Sequence, residues 1–221
     1  MSLPLIGRIA LITGAAQPVG QAIATALAEA GATVALNDLN PDRLERLSQS
    51  IRANGGNAVT ITADVANRFQ CVHLVETTRA ECGRIDILIN AATVRPTAPL
   101  LKMDEWDWGR VLDVNVKGAF LLSQLCGRVF VNQNEMAGTR QGGVMINLGD
   151  NTTNPERPLH QAAYYASKAA LAALTQECGR ELAAHGVAVH LFLAEGQAVD
   201  SAAAQIVALC QEATPDFPTT D

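Results

Sequence analysis

The stretch Ile12–Asp38, ITGAAQPVGQAIATALAEAGATVALND, reads as the end of a strand, a tight glycine turn, a helix and a second strand. Its first residues close RIALIT (Arg8–Thr13), an apolar run of the length a buried strand takes. Gly14 and Gly20 bracket the turn, and a helix opens near Pro18. Proline suits a first helical turn because the N–H it lacks has no intrahelical partner there. The helix runs to about Ala30, with Gly31 as its stop signal. ATVALN (Ala32–Asn37) is the second strand, and Asp38 stands at its end. A glycine turn leading into a helix aims backbone N–H groups and a helix dipole at one point, which favours a pyrophosphate. A carboxylate 24 residues after Gly14 can accept hydrogen bonds from both hydroxyls of an adenosine ribose, and it repels a 2′-phosphate. The stretch therefore points to a dinucleotide cofactor, NAD in preference to NADP.

The same alternation continues outward. PDRLERLSQSIRAN places Leu44, Leu47 and Ile51 on one helical face, with Pro41 in its first turn. NAVTITAD is a third strand, Asn67–Cys82 a helix, and IDILIN (Ile85–Asn90) a fourth strand, apolar on both faces and so central. Asp104 to about Val131 is a helix pair or one long helix, and GVMINL (Gly143–Leu148) a fifth strand. Gln161–Ala184 is an alanine-rich helix, VAVHLFL (Val187–Leu193) a sixth strand and Ser201–Glu212 a last helix. Strands alternating with helices predict an α/β fold: a doubly wound parallel sheet with helices on both faces. No repeat or linker divides the chain, so residues 1–221 read as one domain.

Composition narrows the classes. The chain is 48% hydrophobic, 17% charged and carries a net charge of −6. It has no block of like charges, so neither nucleic acid nor an anionic membrane surface is an expected partner. Its apolar runs fall short of the ~20 residues a membrane span needs, and MSLPLIGRIALITG lacks the pattern of a secretion signal. A cytoplasmic location is expected. Cys71, Cys82, Cys126, Cys178 and Cys210 form no CxxC pair and read as reduced, packed thiols. His73, His160, His185 and His190 have no ligand spacing, so no metal site is expected.

A second chemistry lies after the fifth strand. Tyr164 and Lys168 are at i and i+4, on one helix face. A free tyrosine has a pKa near ~10, too high for a good base at neutral pH. A lysine cation one turn away favours the phenolate and is expected to lower that value. The competing Tyr165 has only Ala169 at i+4.

Taken together, these motifs resemble the short-chain dehydrogenase/reductase family, up to about Gly196, and imply a Rossmann-type sheet. Thr13, Gly14, Pro18 and Gly20 correspond to the family's TGxxxGxG turn, within which Gln17 and Val19 also lie. Asp38 and Leu39 stand at the ribose position, and Asp64 with Val65, in TADV, match the acid that contacts the adenine. Asn90, Ala91 and Ala92 begin the NNAG motif, written here NAAT. Asn115 in DVNVKG matches the asparagine of the catalytic set, and Tyr164 and Lys168 match YxxxK. The resemblance implies an NAD-dependent oxidoreductase acting on a small carbonyl/alcohol substrate. Tyr164 is then the acid/base, Lys168 lowers its pKa and holds the nicotinamide ribose, and Asn115 supports a relay water. It also leaves the two long helices for a homodimer, or within a tetramer, with Ala166, Ala169, Ala170 and Ala173 permitting close approach.

The chain departs from the family at several of these places. Pro18 replaces a glycine and offers a phosphate no N–H. Ala91 and Thr93 replace an Asn and a Gly. No serine stands between Ser123 and Ser167, where the family places its substrate-binding serine. By motif, NLGD puts Asp150 in that place; by distance, thirteen residues before Tyr164 falls on Asn151. Asp150 is taken as the candidate. Ionised, it opposes negative charge on a substrate oxygen and raises the tyrosine's pKa; neutral, it donates a hydrogen bond. Pteridine reductases also carry an aspartate at this position, which gives a second reading. Glu195 and Asp200 stand where the family's proline and threonine wrap the nicotinamide. Residues 194–221 are expected to form a short lid without a seventh strand. These departures admit a third reading, a catalytically weak or inactive member that binds nucleotide or forms oligomers.

Overall fold

The computed structural model describes residues 3–138, 142–193 and 198–212. Six parallel strands form one sheet: β1 (Ile9–Thr13), β2 (Thr33–Asp38), β3 (Asn57–Thr62), β4 (Ile87–Asn90), β5 (Val144–Gly149) and β6 (Ala188–Leu193). Their order is β3-β2-β1-β4-β5-β6. The chain moves outward from β1 to β3, returns to lay β4 against β1, and then moves outward the other way. The crevice at the carboxyl ends of β1 and β4, where the direction reverses, is where such sheets bind ligands.

Side-chain alternation builds two cores. Ala10, Ile12, Val34, Leu36, Ile87 and Ile89 pack on one face with α1 (Pro18–Glu29), α2 (Pro41–Ala53) and α7 (Val199–Glu212). Leu11, Ala35, Leu88 and Met145 pack on the other with α3 (Arg68–Cys82) and α5 (Ala119–Met136). Both faces are covered, so the central strands read as unbroken apolar runs rather than alternating ones. Each fully buried Leu or Ile contributes roughly 1.5–3 kcal/mol by leaving water.

The helix starts follow from local chemistry. Asn40 Oδ1 accepts from Arg43 N at the start of α2, Asn67 Oδ1 from Phe69 N and Gln70 N at α3, and Asp104 Oδ1 from Trp106 N at α4 (Glu105–Leu112). At α1 the N-cap is Gln17, which makes no such bond. The open end of α1 faces the crevice.

The expected helix pair is present with a longer second member, and the place of Asp200 needs correction. The segment expected as a helix pair or one long helix is α4 and α5 joined by a π-helical turn, Asp113–Gly118, and α5 continues to Met136. The extra residue in that turn carries Asn115 inward, where its side chain bonds the backbone of Val94. π-turns of this kind concentrate at functional sites. The last helix begins at Val199, so Asp200 lies in its first turn, against the groove between α1 and α2. Glu195 lies outside the described residues. Among the described residues no strand pairs with the outer edge of β6.

Candidate active site

The glycine turn is held by its neighbours. Ala15 N donates to Asn37 O (2.9 Å), Ala16 N to Asp38 Oδ2 (3.2 Å) and Gln17 N to Gly14 O (3.0 Å). Pro18 has no N–H. Val19 and Gly20 follow it in the first turn of α1, where N–H groups have no intrahelical carbonyl to bond. They are the donors left for a phosphate. Gly14 sits at φ +62°, and a Cβ there would lie 2.6 Å from the Ala92 Cα. Gln17 Nε2 reaches across to Thr93 O (2.9 Å), and Thr13 Oγ1 accepts from Ala91 N and Ala92 N (3.2 Å each). The turn and the segment after β4 are thereby one rigid unit.

Beside this unit lies a narrow cleft whose lining includes Gly14, Gln17, Asp38, Leu39, Asp64 and Val65. Asp38 accepts three backbone N–H groups, from Ala16, Leu39 (2.8 Å) and Asn40 (3.2 Å). It therefore braces the turn as well as lining the cleft. Asp64 receives a two-pronged bond from Arg110, at 3.0 and 3.3 Å. Arg110 also lines the cleft and was not among the sequence candidates. Its partner is 46 residues away, and no spacing rule connects the two.

Asn90 has a supporting place. Its Nδ2 donates to Asn147 Oδ1 (2.8 Å), and Asn147 Nδ2 donates to Thr175 Oγ1 (2.9 Å), tying β4, β5 and α6 (Ala162–Leu182) together. The Asn115 side chain is fully engaged: Nδ2 donates to Val94 O and Ser167 Oγ, and Oδ1 accepts from Val94 N. Ser167 Oγ in turn donates to Tyr164 O. Asn115 thus holds the tyrosine's helix against the segment after β4.

The Tyr164 hydroxyl donates to Asp150 Oδ2 at 2.6 Å. Of the two candidate positions, Asp150 is the one that reaches it. Asn151 turns away, accepting from Thr153 N and Oγ1. Lys168 Nζ donates to Leu148 O (2.6 Å) and lies 5.6 Å from the Tyr164 ring centroid. The expectation that a lysine cation lowers the tyrosine's pKa is corrected here. Burial pushes the Tyr164 hydroxyl well above its ordinary value, and the bond to Asp150 and that group's charge push it further. Arg95, whose guanidinium carbon lies 5.2 Å from the Tyr164 ring centroid, works in the opposite direction.

Lys168 is 4% exposed, and burial lowers its pKa from the ordinary 10.5 to about 8. The folded protein therefore holds this proton less tightly than the unfolded chain does. At pH 7 both states are charged, and the full cost of burying the charge is present. That cost, roughly 3 kcal/mol at 1.36 kcal/mol per pKa unit, is relieved as pH rises from 8 to 10.5. Replacing the side chain also loses the charge-assisted bond to Leu148 O, worth roughly 1.5–3 kcal/mol. Lys168→Met should thus be at least as stable as the parent at pH 7, with a gain of up to roughly 1.5 kcal/mol. Urea unfolding at pH 7 and pH 10 checks this: the gain must shrink at the higher pH, and a variant less stable at pH 7 would contradict it.

The sequence candidates thus fall into two adjoining groups. Gly14, Gln17, Val19, Gly20, Asp38, Leu39, Asp64, Val65, Ala91 and Ala92 surround the turn and cleft, while Asn115, Asp150, Tyr164 and Lys168 gather past β4 and β5. Pro18 and Asp200 line a separate groove of about 1000 Å³ between α1, α2 and α7. Asp200 was expected beside the nicotinamide; the early start of α7 carries it to that groove instead.

The profile of the short chain dehydrogenase family matches residues 8–205. The chain belongs to that family. Short-chain dehydrogenases are oxidoreductases that use a nicotinamide cofactor, and the parallel sheet described above is their fold. The chain is 34% identical over 181 residues to the 2,3-dihydro-2,3-dihydroxybenzoate dehydrogenase of Bacillus subtilis (strain 168), covering 82% of this chain and 66% of that one. A metagenomic short-chain oxidoreductase solved in complex with NADP superposes with a TM-score of 0.85 at 30% identity, covering 94% of this chain and 92% of that one. NAD⁺-bound xylitol dehydrogenase superposes with a TM-score of 0.78 at 32% identity, covering 86% and 70%. The residues present fit such a cofactor. Gly14 and Gly20 let the glycine turn, the first turn of α1 and the Ala92 backbone approach with no Cβ between them, and a cleft runs from Gly14 past Asp38 to Asp64.

Proposed function

We propose that the protein is an NAD(H)-dependent oxidoreductase that interconverts a small carbonyl compound and its alcohol. One observation carries this reading: the Tyr164 hydroxyl is paired with Asp150 at 2.6 Å, and the Lys168 ammonium lies 5.6 Å from the Tyr164 ring centroid. A bound nicotinamide supplies or accepts the hydride. Val19 and Gly20 would hold its phosphates, Asp38 and Leu39 its adenosine ribose, and Asp64 with Val65 its adenine. In the reducing direction Tyr164 donates its proton as the carbonyl oxygen becomes an alkoxide, and its raised pKa keeps that proton available at neutral pH. In the oxidising direction the same group must first lose a proton, which Asp150 opposes and Arg95 favours. Oxidation should therefore speed up as pH rises into the alkaline range. Lys168 would hold the nicotinamide ribose. The Asn115 side chain is already committed, so its support of a relay water would come from its backbone carbonyl in the π-helical turn.

Cofactor choice rests on Asp38. Calorimetric titration should find NADH at least about tenfold tighter than NADPH, since a carboxylate facing the 2′ position repels a phosphate. Asp38→Ala should narrow the gap. It should also lower thermal stability, because the Ala16, Leu39 and Asn40 N–H groups lose their acceptor. Equal affinities in the parent protein would overturn the assignment.

The Tyr164–Asp150 bond also favours a second reading. In pteridine reductases an aspartate at this position works with the tyrosine in proton transfer to a ring nitrogen. Those enzymes prefer NADPH, so the same titration separates the two readings. A homodimer through α5 and α6 is part of the proposal. Ala166, Ala169, Ala170 and Ala173 form an exposed stripe of small side chains on α6, and Phe120 on α5 is 41% exposed.

A further inference from the structure

Two arginines stand over the two tyrosines of the site. The Arg95 guanidinium carbon lies 5.2 Å from the Tyr164 ring centroid, and that of Arg157 lies 5.1 Å from the Tyr165 ring centroid. The two rings meet edge to face, with centroids 5.2 Å apart. Arg95 follows β4, and Arg157 belongs to the loop between β5 and α6, so both segments that border the reacting tyrosine contribute a cation. Both arginines are exposed, while Tyr164 beneath Arg95 is only 6% exposed. Neither has a carboxylate partner among the described residues. Arg157 donates to the Thr152 carbonyl oxygen rather than to its chain neighbour Glu156.

Lys168 adds a third positive group beside the Tyr164 ring, and the carboxyl group facing these cations is Asp150, already bonded to the tyrosine. In a chain of net charge −6, this mouth is locally cationic. An exposed guanidinium offers a fork of N–H groups that matches a planar carboxylate with two parallel bonds. Asp150 in the same site disfavours a second full negative charge, so a singly charged carboxylate fits better than a phosphate dianion.

We propose that Arg95, with Arg157 beside it, is the specificity determinant of the site and selects a substrate that carries a carboxylate close to the reacting carbon: a short hydroxy acid or its oxo acid. This rests on Tyr164 being the reacting group, as proposed above. Arg95 lies over the ring whose hydroxyl meets the substrate oxygen, so one small molecule can touch both groups.

The test compares 3-hydroxybutyrate with 1,3-butanediol, which carries a hydroxymethyl group where the acid has its carboxylate, in the parent protein and in Arg95→Ala. The first measurement is NAD-linked oxidation. The parent should favour the acid in kcat/KM by at least about tenfold, and Arg95→Ala should collapse that ratio towards one. Such a ratio reports carboxylate recognition, whereas a merely structural loss lowers both substrates together. Arg95→Lys should recover part of the preference. The second measurement is calorimetric titration of the NADH-loaded protein with acetoacetate and with its neutral counterpart 4-hydroxy-2-butanone. Acetoacetate should bind more tightly, weaken with added salt and lose at least about tenfold in Arg95→Ala. If neither substrate is oxidised, the catalytic reading fails, and this titration still decides the role of Arg95. Binding that ignores the carboxylate, or an acid preference unchanged in Arg95→Ala, overturns the proposal.

Discussion

Tyr164→Phe is expected to lower kcat by at least about a thousandfold, within the range that general acid–base groups supply, while NADH affinity changes by less than about twofold. The variant keeps the ring, so the edge-to-face contact with Tyr165 and the guanidinium above it stay in place. What disappears is the O–H that donates to Asp150 Oδ2. A carbonyl reduction then has no proton donor at the oxygen that becomes an alkoxide. The cofactor's phosphates would be held on the other side of the crevice, at Val19 and Gly20, so binding should survive. Steady-state rates and a calorimetric NADH titration on one preparation separate the two effects. Residual turnover above about a tenth of the parent rate would mean that another group supplies the proton. Loss of both turnover and NADH binding would mean that the tyrosine acts through structure instead.

Gly20→Ala is expected to have the largest effect on cofactor binding, a loss of at least about a hundredfold in NADH affinity. A Cβ at this position would lie 2.2 Å from Gly14 O and 2.9 Å from Gly14 C. Both are backbone atoms, so no side chain can swing aside. The first turn of α1 must separate from the glycine turn, and the N–H groups of Val19 and Gly20 move with it. Gly14 cannot yield easily either, since it sits at φ +62° with the Ala92 backbone against it. A strained backbone of this kind costs roughly 1–3 kcal/mol, which for a chain of this size lowers Tm by roughly 2–12 °C. Gly109→Ala is the matched control. It lies in α4, a Cβ there meets nothing within 4 Å, and the change should leave NADH binding intact. Thermal melts and NADH titrations of the two variants should diverge sharply. Similar behaviour of both would show that the close approach at Gly20 is not what shapes the phosphate site.

Much of this was legible in the chain. The apolar runs at Arg8–Thr13 and Ala32–Asn37 placed their strands to within a residue or two, because a strand covered on both faces must be apolar at every step. Gly14 and Gly20 marked the turn because close backbone approach admits no other residue. The π-helical turn at Asp113–Gly118 was not legible. Helical periodicity carries no mark of one extra residue, and what holds the turn is a bond from Asn115 to Val94, on a different element. Arg110 escaped notice for the same reason: its worth lies in Asp64, which only folding brings to 3.0 Å. Spacing left Asp150 and Asn151 open, because one inserted residue in a loop shifts an offset without moving the strand end that presents the side chain.

The amino-acid sequence by itself determined the parallel sheet, the glycine turn with Asp38 at the end of the next strand, and the pairing of Tyr164 with Lys168 on one helix. These are local matters, set by side-chain period, glycine and the pitch of a helix. The tertiary structure alone decided which charge governs the tyrosine. The i, i+4 rule names Lys168, yet its ammonium turns to the Leu148 carbonyl, and burial lowers its pKa. Asp150, fourteen residues back, comes to 2.6 Å of the hydroxyl, and Arg95, from the segment after β4, settles over the ring. Electrostatic influence follows distance and dielectric rather than position along the chain, and both exist only once β4, β5 and α6 have packed.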